Sequence, residues 1–299
     1  MSRLTVAVLT YLRPADLAAV VPMLVEQVAE VGGGSVLVVD NDPDCGAREQ
    51  VAAFGSGVCY VHEPAPGIAA ARNRALEEAD ADLVVFIDDD ERPRPGWLAA
   101  LLATYQASRP AAVVGPVVSE YEVEPEQWVR DGHFFDRRRL PTGTEIDVAA
   151  TNNLLLDLTQ VGDLRFDVRF GLSGGSDTLF SRALVRAGGR MVWCDEAIVV
   201  DVVPAARATR RWVVRRAFRS GNSWSRTSLA LADSSAEAWR ARAACTGRGV
   251  IRCAGGAARW VAGVLTGSRP LRARGVRTVM RGSGMLAGAW GATYVEYKR

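Results

Sequence analysis

Lysine is almost absent from this chain of 299 residues: Lys298 is the only one, so 35 of the 36 basic residues are arginine. That scarcity excludes Schiff-base chemistry on a central lysine, a lysine-dependent phosphoacceptor receiver and the Gly-x-x-x-x-Gly-Lys-Ser/Thr phosphate loop. Histidine is nearly as rare. His62 and His133 are the only two, too few for a histidine-rich metal centre, and nothing supports a Ser-His-Asp triad. Cys45, Cys59, Cys194, Cys245 and Cys253 are odd in number and contain no Cys-x-x-Cys spacing. They read as reduced packing residues in a reducing compartment rather than zinc ligands or bridges. Long apolar runs are missing too. The longest charge-free stretch of the C-terminal region, Gly282 to Val295, has 14 residues, fewer than the ~18 of a membrane-spanning helix. Met1-Ser2-Arg3-Leu4 leads straight into a strand-like pattern with no signal-peptide architecture. A cytoplasmic protein is expected.

What is present describes an ordinary globular chain, with 48% hydrophobic and 23% charged residues. It is long enough for one large α/β domain or two small ones, and neither disordered nor collagen-like. Arginine together with abundant Ala, Val and Gly suggests a GC-rich bacterial genome. The net charge of +2 hides a division: residues 205–299 hold 19 basic and three acidic residues, a net of +16, and the preceding residues carry a net of −14. Such a tail seeks phosphates, anionic lipid or nucleic acid, unless the two halves simply neutralise each other.

The first hundred residues alternate strand and helix signals. Leu4 to Thr10, Ser35 to Asp40, Val58 to Val61 and Leu83 to Ile87 are short, β-rich apolar runs. Between them, Pro14 opens a helical pattern running to about Val31, and Ile68 to Glu78 is a second helix. Alternation of this kind means right-handed βαβ units and a parallel sheet covered on both faces, with the ligand crevice at the carboxyl ends of the strands. Thr10-Tyr11, Asp40-Asn41 and Asp88-Asp89-Asp90 end those runs and should converge there. Farther on, Ala111 to Gly115, Ile146 to Leu156, Met191 to Trp193 and Ala197 to Val200 read as strands. Glu120 to Gly143 reads as loop, Ala208 to Leu231 as a basic helix, and the remainder as helical pieces interrupted by Gly and Pro270.

The sharpest chemical feature is Phe86-Ile87-Asp88-Asp89-Asp90-Glu91. Adjacent carboxylates at a crevice repel and resist desolvation unless a cation neutralises them. Oxygen ligands of this kind suit Mg²⁺ or Mn²⁺, whose remaining coordination comes from water and substrate phosphates. A solvated acidic turn before the next helix is the plain alternative. In Gly171-Leu172-Ser173-Gly174-Gly175-Ser176-Asp177 the glycines precede an acid that opens an apolar helix. Asp177 could face a bound hydroxyl, or Ser176 or Asp177 could simply cap the helix. Small residues surround Arg72 in Gly67-Ile68-Ala69-Ala70-Ala71-Arg72-Asn73 and permit close approach of backbone or ligand, although ordinary helix packing explains them equally.

Taken in order, these segments resemble the family 2 glycosyltransferases, inverting enzymes of the GT-A fold, over roughly residues 3 to 225. The likeness rests on Val6-Ala7-Val8-Leu9-Thr10-Tyr11-Leu12-Arg13, Val38-Val39-Asp40-Asn41, Pro66 to Asn73, the acidic triplet, Thr151-Asn152-Asn153 and Gly174-Gly175-Ser176-Asp177. The resemblance implies an α/β fold with a GT-A-type, Rossmann-like central sheet flanked by helices. It implies a transferase domain over 1–225 and a basic, mostly helical extension over 226–299. By the same likeness Thr10, Tyr11, Arg13, Asp40, Arg72, Asp88 and Asp89 would line the nucleotide-sugar site. Asp90, with Asp88, would hold Mn²⁺ or Mg²⁺, and Asp177 would be the general base of a single in-line displacement. Asn153, Gly175, Ser176 and Arg216 are expected near acceptor or diphosphate. The chain departs from the family pattern twice. Ser176 stands where an acid is common, and Asp201 stands where His is common, which makes Asp201 a further candidate metal ligand.

The implied donor is a UDP-, GDP- or dTDP-sugar, with the acceptor unspecified and no nucleic acid expected. Trp239, Trp260 and Trp290 interleave with Arg240, Arg242, Arg252, Arg259 and Arg281. That mixture suits a helix lying on an anionic membrane surface, here the inner face of the cell membrane, with self-association or simple packing as the alternatives. The competing class is a nucleic-acid- or anion-binding protein on an inactive transferase-like fold. A nucleotidyltransferase ranks lower, because Tyr11-Leu12-Arg13-Pro14 replaces the Gly-rich loop such enzymes carry.

Overall fold

The computed structural model describes residues 3–294. Within it the chain forms two compact units, one of residues 1–118, 137–171 and 176–202, the other of residues 119–136, 172–175 and 203–299.

The first unit is built on a seven-stranded sheet. Its strands are β1 (Leu4–Thr10), β2 (Ser35–Asp40), β3 (Val58–His62), β4 (Leu83–Asp88), β6 (Ala112–Val114), β8 (Asn153–Asp157) and β9 (Met191–Trp193), in the spatial order β3-β2-β1-β4-β8-β6-β9. β1 to β4 are parallel, joined by α1 (Pro14–Glu30), α2 (Arg48–Ala52) and α3 (Ile68–Glu78). The chain steps outward from β1 to β3 and then returns to place β4 on the other side of β1, so the strand order reverses between β1 and β4. Ligand crevices of open α/β sheets form at such a reversal. Two short strands, β5 (Glu91–Pro93) and β10 (Val199–Val203), pair antiparallel with Asp201 opposite Glu91.

Every residue of β1 is buried, as expected of a strand covered on both faces. Val6, Val8, Val36, Val38, Val85 and Ile87 pack against Leu17, Val21 and Leu24 of α1 and against Trp97 and Leu101 of α4 (Trp97–Ser108). The opposite face, with Ala7, Leu9, Val39, Val84 and Phe86, meets Ala69, Ala71 and Ala75 of α3, Phe166, and Phe180 and Leu184 of α7 (Ser176–Arg186). Each fully buried Leu, Val or Phe contributes about 1.5–3 kcal/mol.

Three expectations for the middle of the chain need correction. The strand expected over Ile146 to Leu156 begins only at Asn153, and it runs antiparallel to β4 and β6, so the sheet is mixed. Its seven-residue lead-in, 146–152, is irregular and ends in a turn at Thr151-Asn152 instead. The region expected as loop over 120–143 contains the end of β7 (Val117–Tyr121) and the short helix α5 (Gln127–Asp131).

The second unit is helical. α8 (Arg210–Ala230) passes through residues 225 and 226 without a break, and α9 (Ser235–Leu265) and α10 (Arg269–Ala289) follow. Thr209, Ser234 and Ser268 cap the three helices by accepting from Trp212, Glu237 and Leu271 backbone N–H groups. The expected glycine interruptions are absent from α9, one continuous helix of 31 residues, and the break falls between α9 and α10, where Gly267 adopts a φ of 69° and Pro270 stands in the first turn of α10. Gly249, Gly256 and Gly263 of α9 serve packing instead. A Cβ on Gly256 would come within 2.7 Å of Val279 N, and one on Gly282 within 2.7 Å of Gly249 O. Gly249, Gly256 and Gly263 recur every seven residues, as do Gly275 and Gly282, so α9 and α10 meet backbone to backbone. Among the described residues no helix is long and apolar enough to cross a membrane. Lys298 lies outside the described residues.

Candidate active site

The strand register brings the polar ends of five strands to one level. Thr10 pairs with Asp40, Asp40 with His62, Leu9 with Asp88, and Ile87 with Asn153. The chain folds this way because the apolar runs of the parallel strands β1 to β4 end in a polar residue at the carboxyl end, while antiparallel β8 brings its first residue, Asn153, to the same edge.

The centre of the site is the acidic turn after β4. Thr10 Oγ1 donates to Asp89 Oδ2 at 2.9 Å, and Arg13 Nη1 lies 2.8 Å from both Asp89 Oδ1 and Asp90 Oδ2. Arg13 reaches them from a tight turn in which Leu12 adopts a φ of 54°. Burial works against the Arg13 cation, but Asp89 and Asp90 outweigh it and hold its pKa above the usual arginine range. Burial pushes Asp88 up to about 7, against the pull of Arg72 and with added repulsion from Asp90 and Asp89. Burial likewise pushes Asp89 up to about 6, moderated by Arg13. Two groups at that range in one turn leave excess negative charge that a cation would relieve.

Glu91, the fourth acid of the run, was not singled out as a site residue from sequence, and it is fully buried. It accepts from the Asp88 backbone N–H at 3.3 Å and from Asn152 Nδ2, and burial holds its pKa well above the ordinary range. Arg137 is a second residue the sequence did not flag. Its Nη2 donates to Asp201 Oδ2 at 2.7 Å, so Asp201 sits buried in an ion pair opposite Glu91. The only sequence signal for Glu91 was its place in the acid run, and Arg137 lies in an irregular segment that gave none.

Other candidates have structural partners. Asp40 is buried and accepts from Asp42 N, Ala47 N and Tyr60 Oη, each at 3.0 Å, which ties down the loop after β2. Asn153 receives Trp97 Nε1 at 2.8 Å and donates to the Pro116 and Ala197 carbonyls. Tyr11 is half-buried just beyond β1. Arg72 is buried on α3, donates through Nη1 to Ser176 Oγ at 3.1 Å and lies 5.4 Å from the Phe166 ring centroid, while its Nε has no hydrogen-bond partner. A buried guanidinium donor left in this state is suited to a ligand oxygen. Gly67, at a φ of 117°, lets α3 start against Gly171, where a Cβ would come within 3.2 Å of its backbone. Asp177 is half-buried in the first turn of α7, with Oδ1 accepting from Thr178 N at 2.7 Å. The structure therefore brings Thr10, Arg13, Asp88, Asp89 and Asp90 together directly, and joins Arg72 to Ser176.

Gly175 and Arg216 belong to the second unit. Gly175 adopts a φ of 101°, and Arg216 stacks 5.2 Å from both the Phe135 and Trp212 ring centroids.

A mixed sheet with its strand order reversed beside an acidic turn, an arginine and a half-buried helix-start aspartate defines an α/β protein of the GT-A kind. Residues 5–162 match the family model described as Glycosyl transferase family 2, and the chain belongs to that family. It is a GT-A-fold glycosyltransferase. It is 34% identical over 240 residues to the succinoglycan biosynthesis protein ExoM of Rhizobium meliloti (strain 1021), covering 78% of each chain. It is 27% identical over 225 residues to a pre-mycofactocin glycosyltransferase of Mycobacterium tuberculosis, covering 70% of this chain and 47% of that one. The fold is shared with GalNAc-T7 crystallised with UDP, GalNAc and Mn²⁺, at a TM-score of 0.53 and 11% identity over 75% of this chain and 51% of that one. It is shared as well with S. aureus TarS 1-349 in complex with UDP, at 0.51 and 16% identity over 93% and 90%. Enzymes of the GT-A fold often use Mn²⁺ or Mg²⁺. Among the described residues, no group of three or more His, Cys, Asp or Glu side chains is placed to hold a metal ion by itself.

Proposed function

We propose that the chain moves a sugar from a nucleoside-diphosphate donor to an acceptor hydroxyl with inversion, using the crevice at the ends of β1 and β4. The observation that carries this reading is the acidic turn, with Asp88 pushed up to about 7 where the strand order reverses. These residues suit a divalent cation that would take its remaining ligands from the donor: Asp90 and Asp88 would supply carboxylate oxygens, and a site shared with phosphates needs few protein ligands. When bound, the cation supplies positive charge to the departing diphosphate. Asp90 is engaged by Arg13 as Asp201 is by Arg137, so either carboxylate would exchange an arginine for the cation; Asp201, outside the acidic turn, is the weaker candidate.

The chain's own groups carry the other roles. Thr10, Tyr11, Arg13 and Asp89 shape the donor pocket beside Asp88, and Asp40 fixes its wall by holding the Asn41–Ala47 loop. Arg72 offers its free Nε to a donor phosphate oxygen. Asp177 takes the proton of the acceptor hydroxyl while that oxygen bonds to the anomeric carbon and the bond from that carbon to the diphosphate oxygen breaks. One displacement inverts the configuration, leaving a glycoside and a nucleoside diphosphate.

The test is Asp177→Asn. Removing a general base costs about 10²–10⁴ in rate, so transfer should fall by that factor with donor affinity unchanged. Transfer at the wild-type rate would refute the assignment.

For the second unit we propose peripheral contact with an anionic membrane, on the cytoplasmic face. Val250, Ile251, Ala254, Ala258, Val261 and Leu265 fall on one exposed face of α9, with Ile251 72% and Leu265 81% accessible. The exposed Arg248, Arg252 and Arg259 flank it. Apolar side chains with flanking cations are the pattern of a helix lying in a lipid interface.

A further inference from the structure

The second unit contains a cavity of about 360 Å³ between α9, α10 and the turn after α5, lined by His133, Asp136, Arg259, Arg274, Arg277 and Thr278. Three guanidinium groups face one carboxylate. His133 adopts a φ of 53°, which places Nδ1 against Asp136 Oδ2 and Nε2 against Arg274 Nη2. Three arginines against the one carboxylate of Asp136 leave the lining with a formal excess of two positive charges.

The arginines are held in place by neutral oxygens rather than by carboxylates. Arg277 donates to the Gly132 carbonyl at 2.9 Å and to that of His133, Arg274 Nε to the Asp131 carbonyl at 3.1 Å, and Arg259 to Thr278 Oγ1 at 3.4 Å. Thr278 Oγ1 in turn donates to the Arg274 carbonyl at 2.8 Å. The nearby Asp131 carboxylate is paired with Arg269, and the Arg274 cation shares its attraction without a direct carboxylate bond. Carbonyl bonds fix the orientation of a guanidinium but leave its charge uncompensated. Burial holds Arg277 below the ordinary arginine range, against the pull of Asp136 and with added repulsion from the Arg274 and Arg259 cations. Bringing three like charges around one cavity is costly unless an anion joins them, and planar, donor-rich groups suit a phosphate oxygen set better than a single carboxylate.

We infer that this cavity is a second anion site, separate from the donor crevice, and that it takes a phosphate-bearing group. Its volume lies at the lower end of the ~300–1,000 Å³ of small-ligand pockets, which admits a diphosphate or a phosphomonoester headgroup. Soluble diphosphates and lipid headgroups share that chemistry.

The test uses the full chain in EDTA, with pyrophosphate titrated calorimetrically and, in parallel, flotation with phosphatidylcholine vesicles containing phosphatidic acid. Arg259→Gln and Arg274→Gln remove charge from the lining, while Arg272→Gln removes an exposed arginine of α10 outside it. Thermal unfolding of each variant verifies that it is folded. Saturable pyrophosphate binding, weakened about tenfold, or ~1.4 kcal/mol, by either lining variant and unchanged by Arg272→Gln, identifies a soluble ligand. The same pattern on the vesicles alone identifies a headgroup. Binding of neither probe, equal binding by all variants, or equal loss in Arg272→Gln would overturn the inference.

Discussion

One nitrogen of Arg13 stands 2.8 Å from Asp89 and 2.8 Å from Asp90, so a single guanidinium from the turn after β1 bridges two carboxylates of the turn after β4. Asp89 is buried and Arg13 is about one-third exposed. Breaking this pair leaves a buried carboxylate without its counter-charge, and solvent access at Arg13 lessens the penalty. Arg13→Gln should lower stability by about 1–3 kcal/mol at pH 8, read as a lower urea midpoint. An unchanged midpoint would show that the bridge contributes nothing.

The raised pKa of Asp88 has a definite sign in stability. A folded value of about 7 lies above the ordinary carboxylate range, so the folded protein holds this proton more tightly than the unfolded chain. The contribution is fully present below the ordinary range and is lost as the pH rises through about 7. Asp89, at about 6, adds in the same direction. In EDTA the melting temperature should therefore fall between pH 5 and pH 8. Asp88→Asn should remove part of that fall and melt several degrees above wild type at pH 8. A wild-type melting temperature equal at the two pH values, with no gain in the variant, would contradict the burial of this charge.

The glycine faces of α9 and α10 separate packing from helix propensity. Gly256→Val places side-chain atoms where Val279 N already stands and should destabilise by about 1–3 kcal/mol. Gly255→Ala, on open surface, should instead stabilise by up to ~1 kcal/mol. Chemical unfolding of both variants distinguishes them. Equal effects would mean that the helices do not meet as described.

The exposed face of α9 should set membrane affinity. Ile251→Glu with Leu265→Glu should reduce co-sedimentation with phosphatidylglycerol vesicles several-fold, while nucleotide binding stays unchanged. Undiminished co-sedimentation would remove the membrane proposal.

The sequence made β1 to β4 legible because four apolar runs of strand length alternate with helical periodicity. Each ends in a polar residue, which was enough to place Thr10, Asp40 and Asp88 at one edge. Periodicity could not reveal that β8 reverses direction, since a buried strand has the same pattern either way up. Glycine read as an interruption in α9 because propensity is local, whereas the close approach of α10 is a tertiary property. Arg137 was invisible for a similar reason. Its meaning comes from Asp201, 64 positions away in the chain, and from the pairing of Asp201 with Glu91. Arg72 could be noticed from its small neighbours, but its bond to Ser176 and its unpartnered Nε required the fold.

The most direct test of the donor site is calorimetric titration of UDP, GDP and dTDP, with and without Mn²⁺, into wild type and Asp90→Asn. The account predicts that one nucleotide binds wild type in a Mn²⁺-dependent manner and that Asp90→Asn loses that dependence. Binding that is indifferent to Mn²⁺ and to Asp90, or no binding of any of the three, would contradict it.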